Sequence, residues 1–154
     1  MLHLIQSPLA QFDPALPEVA LRVERLTLAK RLWRGKAEDG AEFGFELGAP
    51  LKDGDTVWQT KVARYVIRQN PEPVLEISLD VAPSAAAGIG WAIGNLHMEL
   101  CAEPTRLLTP DDTATRQLLN RLAVPYRATT AIFRPGRFAR GSQLPHELGP
   151  SHKH

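Results

Sequence analysis

Three features are scarce or absent in this chain of 154 residues: cysteine, net charge and long apolar runs. Cys101 is the only cysteine, so no disulfide can form within the chain, which suits a reducing compartment. A net charge of +1 gives no global attraction to nucleic acid or anionic lipid. The longest apolar run, 85–94, is far too short to span a bilayer, and residues 1–6 lack the basic start of a signal peptide. We therefore expect a soluble, cytoplasmic protein.

The sequence also lacks the short motifs that mark common active sites. It contains no glycine-rich phosphate loop, no HExxH, no paired-cysteine metal motif and no GxSxG nucleophile elbow. Cys101 could act as a nucleophile only with an activating base nearby, and His97 is close to it in sequence. We therefore expect that the protein is not an enzyme, with a Cys101-dependent enzyme as an alternative.

Residues 1–72 have the pattern of a small all-β domain. Apolar residues alternate with polar or small ones over 19–23, which is the period of a half-buried strand. Asp39-Gly40 separates two apolar segments and is a strong hairpin signal, because glycine accepts the positive φ of the turn. A second turn is predicted at 53–55. The basic residues within 22–36 are interpreted as a solvated strand face, with a binding patch as the less common alternative.

The chain is interrupted by two prolines at 70–73, and the pattern changes after them. The order predicted there is a strand at 74–79, a helix from 85 capped by Ser84, strands at 97–103 and 106–108, a helix capped by Thr109, and a strand at 125–133. This βαββαβ order predicts a ferredoxin-like domain at 73–135. The whole chain is thus predicted as α+β, with a short flexible tail at 136–154.

The first of these helices carries an unusual number of glycines. Gly88, Gly90 and Gly94 each cost about 1 kcal/mol relative to alanine in a helix. Close packing of the backbone against a neighbour is the simplest compensation.

Histidines are the candidate metal ligands, because neutral imidazole binds nickel, zinc and copper well. His146, His152 and His154 lie in the tail, where a loose metal site could form. A terminal His-x-His can also be a cloning remnant or a solvated tail without function.

His97 differs because it follows the glycine-rich helix. On a regular strand it would share a face with Glu99 and Cys101, and the three could ligate a metal. A hydrogen-bonded core or interface histidine is the alternative, and from the pattern alone it is the commoner case. A two-fold dimer would bring two copies of His97 together and turn one ligand into two.

The chain resembles the urease accessory protein E (UreE) family of nickel metallochaperones along nearly its whole length. Four short segments carry the resemblance, in this order: Pro71-Glu72-Pro73-Val74-Leu75, Gly94-Asn95-Leu96-His97, Leu118-Leu119-Asn120-Arg121-Leu122 and Phe133-Arg134-Pro135. Each is weak alone, and the Gly-Asn-x-His element in order with the others is the more specific one.

The resemblance implies a homodimer that carries nickel to the urease assembly complex, which comprises the urease apoprotein and an accessory GTPase. It implies an N-terminal domain similar to the peptide-binding module of a co-chaperone, followed by a metal-binding domain. In the family, the histidine of this motif binds one nickel shared between protomers, and that role falls on His97. Capture of metal by tail histidines falls on His146, His152 and His154. Zinc or copper could occupy the same site.

Three departures from the family pattern limit what the resemblance implies for this chain. Leu96 stands where a basic residue is usual, and Asp111-Asp112-Thr113 stands where members often have a further histidine. An auxiliary site at the second helix would therefore depend on the aspartates. The tail holds few histidines, which favours delivery of about one ion per dimer over storage.

The alternative function is a module that binds RNA or protein without metal. Ferredoxin-like domains often bind RNA through aromatic side chains on the sheet. The predicted strands offer Tyr126 and Phe133 but no dense aromatic and basic motif, and the net charge is near zero.

Overall fold

The computed structural model describes residues 1–140 and 144–147. Over these residues the fold is mixed α+β, with three helices and several small sheets. The chain divides into two compact units, Met1–Asn70 and Pro71–His154. No helix in the described part is long and apolar enough to cross a membrane.

The N-terminal unit consists of six strands and one short helix. They are β1 (Leu2–Ile5), β2 (Glu18–Val23), α1 (Arg25–Leu28), β3 (Leu32–Lys36), β4 (Glu42–Glu46), β5 (Thr56–Gln59) and β6 (Arg64–Gln69). Two three-stranded sheets result, with strand orders β1-β4-β3 and β2-β6-β5. Leu21, Phe43, Phe45 and Ile67 are almost completely buried in the core of this unit.

The two predicted turns of this unit are confirmed. Strands β3 and β4 form an antiparallel hairpin, and Gly40 in its turn has a φ of 92°. The Asp39 side chain accepts a hydrogen bond from the Ala41 N–H at 3.0 Å and stabilises the turn. Gly54 also has a φ of 92° and precedes β5. Glycine is favoured at both positions because a Cβ would be strained there.

The second unit begins with six elements in the order strand, helix, strand, strand, helix, strand. They are β7 (Glu72–Ser78), α2 (Pro83–Asn95), β8 (Cys101–Ala102), β9 (Arg106–Pro110), α3 (Thr113–Arg121) and β10 (Arg127–Ala131). The strand order in the sheet is β10-β7-β9-β8, and each neighbouring pair is antiparallel. Its core residues Leu75, Ile77 and Leu107 pack against the helix residues Ile93 and Leu119.

Both predicted helix caps in this unit are wrong. Helix α2 begins at Pro83, one residue before the expected cap Ser84, because proline suits the first helical position. Thr109 lies in β9, where it is buried and its hydroxyl donates to the Glu99 carbonyl at 2.8 Å. Asp112 instead caps α3 by accepting from the backbone N–H groups of its first turn.

The predicted strands are also too long. The strand expected at 97–103 is reduced to Cys101–Ala102, and the one expected at 125–133 spans Arg127–Ala131. The sequence predicts a flexible tail from residue 136. Instead, the chain pairs β11 (Arg137–Arg140) with β12 (Leu144–Glu147) in an antiparallel hairpin. The Gly136 N–H donates to the Leu100 carbonyl at 2.8 Å, which fixes the start of the hairpin beside β8.

Candidate metal site at the end of the glycine-rich helix

His97 lies directly beyond the C-terminus of α2 in a left-handed backbone conformation, with a φ of 58°. Its N–H donates to the Gly94 carbonyl at 2.9 Å, and the next N–H, of Met98, reaches the Ile93 carbonyl at 3.3 Å. These two bonds form a Schellman motif, in which glycine is the usual residue at the left-handed position. A histidine here costs about 1–2 kcal/mol of backbone strain relative to a right-handed residue, and such strain clusters at functional sites.

This conformation changes the geometry expected from the sequence. A regular strand from His97 would place Glu99 and Cys101 on the same face, but the helix cap precedes the strand and breaks the alternation. Cys101 is 2% exposed, whereas His97 and Glu99 are exposed to solvent. Among the described residues, no group of three His, Cys, Asp or Glu side chains is placed to hold a metal.

Helix α2, which precedes His97, presents an apolar surface to solvent. Trp91 is 71% exposed. Gly88 and Gly94 share its side of the helix, because residues three or four apart stack on one face. A Cβ added at Gly88 or Gly94 would meet nothing within 4 Å, so packing within the described chain does not explain these glycines.

The local electrostatics favour a cation at this end of α2. The C-terminus of a helix carries partial negative charge from its unpaired carbonyl groups. No basic side chain lies in the last turn of α2 to neutralise it. A positively charged ion held by His97 would therefore meet a favourable field.

Of the three tail histidines, the described residues include His146 alone, and its position is given by backbone pairing. His146 lies in β12 and pairs in register with Phe138 of β11. His152 and His154 lie outside the described residues.

The two aspartates of the second helix are already engaged. Asp111 receives two hydrogen bonds from the Arg116 guanidinium, each at 2.7 Å, and these lower the pKa of its carboxyl. The Asp112 carboxylate accepts from the Ala114 N–H at 2.9 Å as the cap of α3. An auxiliary metal site here would have to break one of these interactions.

Trp91 is the residue that the sequence did not single out. A tryptophan in an apolar helix is normally buried, so its pattern gives no signal of exposure. Gly88 and Gly94 were the one indication of this exposure in the sequence, because they leave an open surface on either side of the Trp91 ring.

Comparison with known proteins gives consistent matches. The family model described as UreE urease accessory protein, C-terminal domain, matches residues 72–154. A urease accessory protein UreE of Deinococcus radiodurans is 33% identical over 131 residues, which covers 83% of this chain and 82% of that protein. The Rhodobacter capsulatus protein of the same name is 30% identical over 151 residues, 96% of this chain and 92% of that protein. With the Bifidobacterium longum subsp. infantis protein of that name, 30% identity extends over 79% of this chain and 55% of the relative.

Proposed function

This chain belongs to the urease accessory protein UreE family, and we propose that it is a metallochaperone that binds Ni(II) and delivers it to apo-urease during active-site assembly. The family consists of accessory proteins, so the expectation that the chain is not an enzyme is confirmed. The observation that carries the proposal is the exposed His97 side chain directly after the C-terminus of α2.

The proposed ligand is the His97 imidazole. It is exposed and lies next to the negative end of a helix, where a cation is favoured. One imidazole alone gives a weak site, so tight binding requires further ligands, such as the second copy of His97 in a dimer. Zn(II) or Cu(II) could bind the same ligand, because imidazole suits all three ions.

The proposed functional unit is a homodimer with α2 of each protomer at the two-fold axis. The exposed Trp91 and the open surfaces at Gly88 and Gly94 support this, because a second copy would cover them. In such an isologous interface, His97 and its copy lie near the same axis and can share one ion. His146, His152 and His154 are proposed to complete the coordination from the tail.

We propose a three-part organisation that follows the resemblance. Residues 73–135 would form the ferredoxin-like metal-binding domain, which the antiparallel strand order β10-β7-β9-β8 supports. Residues 1–72 would form a peptide-binding module, and 136–154 the histidine-bearing tail. The proposed partners are the urease apoprotein and its accessory GTPase, and the proposed place of action is the cytoplasm.

The RNA-binding alternative has no observation in its favour. Phe133 is completely buried, so it cannot stack on a base. Tyr126 is half-buried against the helical core, and the Arg116 guanidinium lies 5.9 Å from its ring centroid.

Calorimetric titration of Ni(II) tests the proposal. We expect about one tightly bound ion per two wild-type chains, and loss of this binding in His97→Gly. Glycine accepts the left-handed conformation, so the fold and the elution volume on sizing chromatography should stay unchanged. Ala123→Gly is the matched control, because Ala123 occupies the equivalent position after α3 with a φ of 55°. Undiminished tight binding by His97→Gly would overturn the assignment.

A further inference from the structure

A groove runs along β4 on the outer face of the β1-β4-β3 sheet. Two adjoining hollows of about 270 Å³ and about 310 Å³ form it, and both are lined by Leu2 and Arg34. Gly44 lies at the centre, paired with Leu4 of β1 on one side and with Arg34 of β3 on the other. A Cβ at Gly44 would come within 3.2 Å of the Leu4 side chain, so a larger residue would begin to fill the groove.

The walls of this groove are apolar and open to solvent. Leu4 and Leu32 are 73% and 75% exposed, and Leu2 is 37% exposed. Clustered leucines at this exposure mark a binding surface, in contrast to single apolar residues scattered over a protein. Leu2 and Leu4 are two residues apart on one strand, and this spacing of about 7 Å matches the side-chain repeat of an extended chain.

Arg34 places a positive charge in the middle of the groove, and Lys36, two residues further along β3, places a second one at the end of the groove. The residue directly across from it is Gly44, which offers no side chain. Within the part of the chain that the structure describes, the Arg34 guanidinium takes part in no ion pair. Glu42 and Glu46 lie two residues to either side of Gly44 on β4. Lys36 is paired across the strands with Glu42, so the positive charge without a facing carboxylate is that of Arg34.

We propose that this groove binds an extended peptide segment of a protein partner, with apolar side chains against the leucines and a carboxylate at Arg34. The proposal rests on the peptide-binding role proposed above for the N-terminal module, and it adds the location and the chemistry of the ligand. A groove with glutamates at both ends fits a single chain better than an anionic membrane surface, because the glutamates repel lipid phosphates.

Fluorescence anisotropy with the full-length protein tests this assignment. The probe is a short fluorescein-labelled peptide of alternating leucine and aspartate, and two matched peptides replace aspartate with lysine or leucine with serine. We expect the first peptide to bind and each replacement to weaken binding about tenfold or more, the loss expected for one charge-assisted or apolar contact. Leu32→Ser and Arg34→Gln should weaken it to a similar extent.

The control variants are Val62→Ser and Lys61→Gln, which lie in the exposed turn between β5 and β6 of the other sheet and should bind like the wild type. Unchanged affinity in Leu32→Ser and Arg34→Gln would overturn the location. Absence of binding by every peptide would overturn the peptide-binding role as well, and neither result affects the nickel titration.

Two further outcomes would replace the peptide with another occupant. Cosedimentation of the wild type with phosphatidylserine vesicles, lost in Leu32→Ser, would assign the groove to a membrane. A change of oligomeric state in Leu32→Ser would assign it to a second copy of the chain.

Discussion

His97 and Ala123 occupy the same position in two equivalent helix caps, and both have a left-handed backbone, with φ of 58° and 55°. Each follows the C-cap residue of its helix, and each N–H donates to a carbonyl three residues earlier, at 2.9 and 3.1 Å. The residues after them, Met98 and Val124, pack against the same apolar cluster. Both caps therefore complete a Schellman motif without the usual glycine.

Substitution of both residues by glycine distinguishes the effect of backbone strain, which both share, from metal binding, which is proposed for His97 alone. Ala123→Gly should raise the free energy of unfolding by about 1 kcal/mol, because glycine adopts positive φ without the Cβ clash. This is a net value, since the larger conformational entropy of glycine in the unfolded chain offsets part of the gain. His97→Gly should gain a similar amount of stability but lose nickel binding. Urea denaturation measures both.

The control is Ala87→Gly, at an exposed position inside α2. Its free energy of unfolding should fall by about 1 kcal/mol. A loss of stability in both His97→Gly and Ala123→Gly would contradict the strain at these caps.

The first six strands and helices of the second unit were predictable from their periodicity, but their ends and the hairpin of β11 and β12 were not. The predicted cap Thr109 is a good helix starter in isolation, yet its hydroxyl finds a partner in the Glu99 carbonyl and its backbone pairs in the sheet. Tertiary pairing thus overrides local capping preference. The left-handed conformation of His97 was also not predictable, because nothing in a non-glycine residue marks it.

Of the four histidines proposed as metal ligands, the sequence singled out one by its position in the fold. His97 stood out by its place after the glycine-rich helix and by family resemblance. The exposed position of Trp91 supports the proposed dimer around His97. It depends on which side of α2 faces the sheet. The sequence alone leaves this open, since α2 is apolar on nearly all sides.

Trp91→Ser should weaken the proposed dimer and with it nickel binding, although His97 remains. Burial of an aromatic ring in an interface is worth several kcal/mol, and an exposed tryptophan contributes little to the fold of the single chain. Analytical ultracentrifugation at micromolar concentration should show dissociation. Leu122→Ser, at an exposed position after α3, is the matched control. A Trp91→Ser protein that remains dimeric would exclude this face as the interface.

Asp111→Asn should lower stability at neutral pH and have less effect in acid. Hydrogen bonds and the charge of Arg116 lower the pKa of the folded Asp111 carboxyl below its unfolded value of about 3.9. The stabilisation is thus fully present above that value and is lost as the pH falls through the folded pKa. The effect should be small, because both side chains are partly exposed.

Urea midpoints at pH 7 and in acid measure this difference. Arg121→Gln on the same helix is the control for loss of a single charge, and it should show no such pH dependence. An equal deficit of Asp111→Asn at both pH values would contradict the linkage.

Cys101 should react with a thiol reagent only when the protein unfolds. Its side chain is 2% exposed and packs with Val74, Leu108 and Phe133, so the reagent cannot reach the sulfur in the native state. The rate of reaction with Ellman's reagent at neutral pH should therefore rise steeply across the urea transition. Phe133→Ala, which opens the same cluster, should react faster under native conditions, because it leaves a cavity beside the thiol. Rapid reaction of the native wild type would contradict the burial of Cys101 and revive a nucleophilic role.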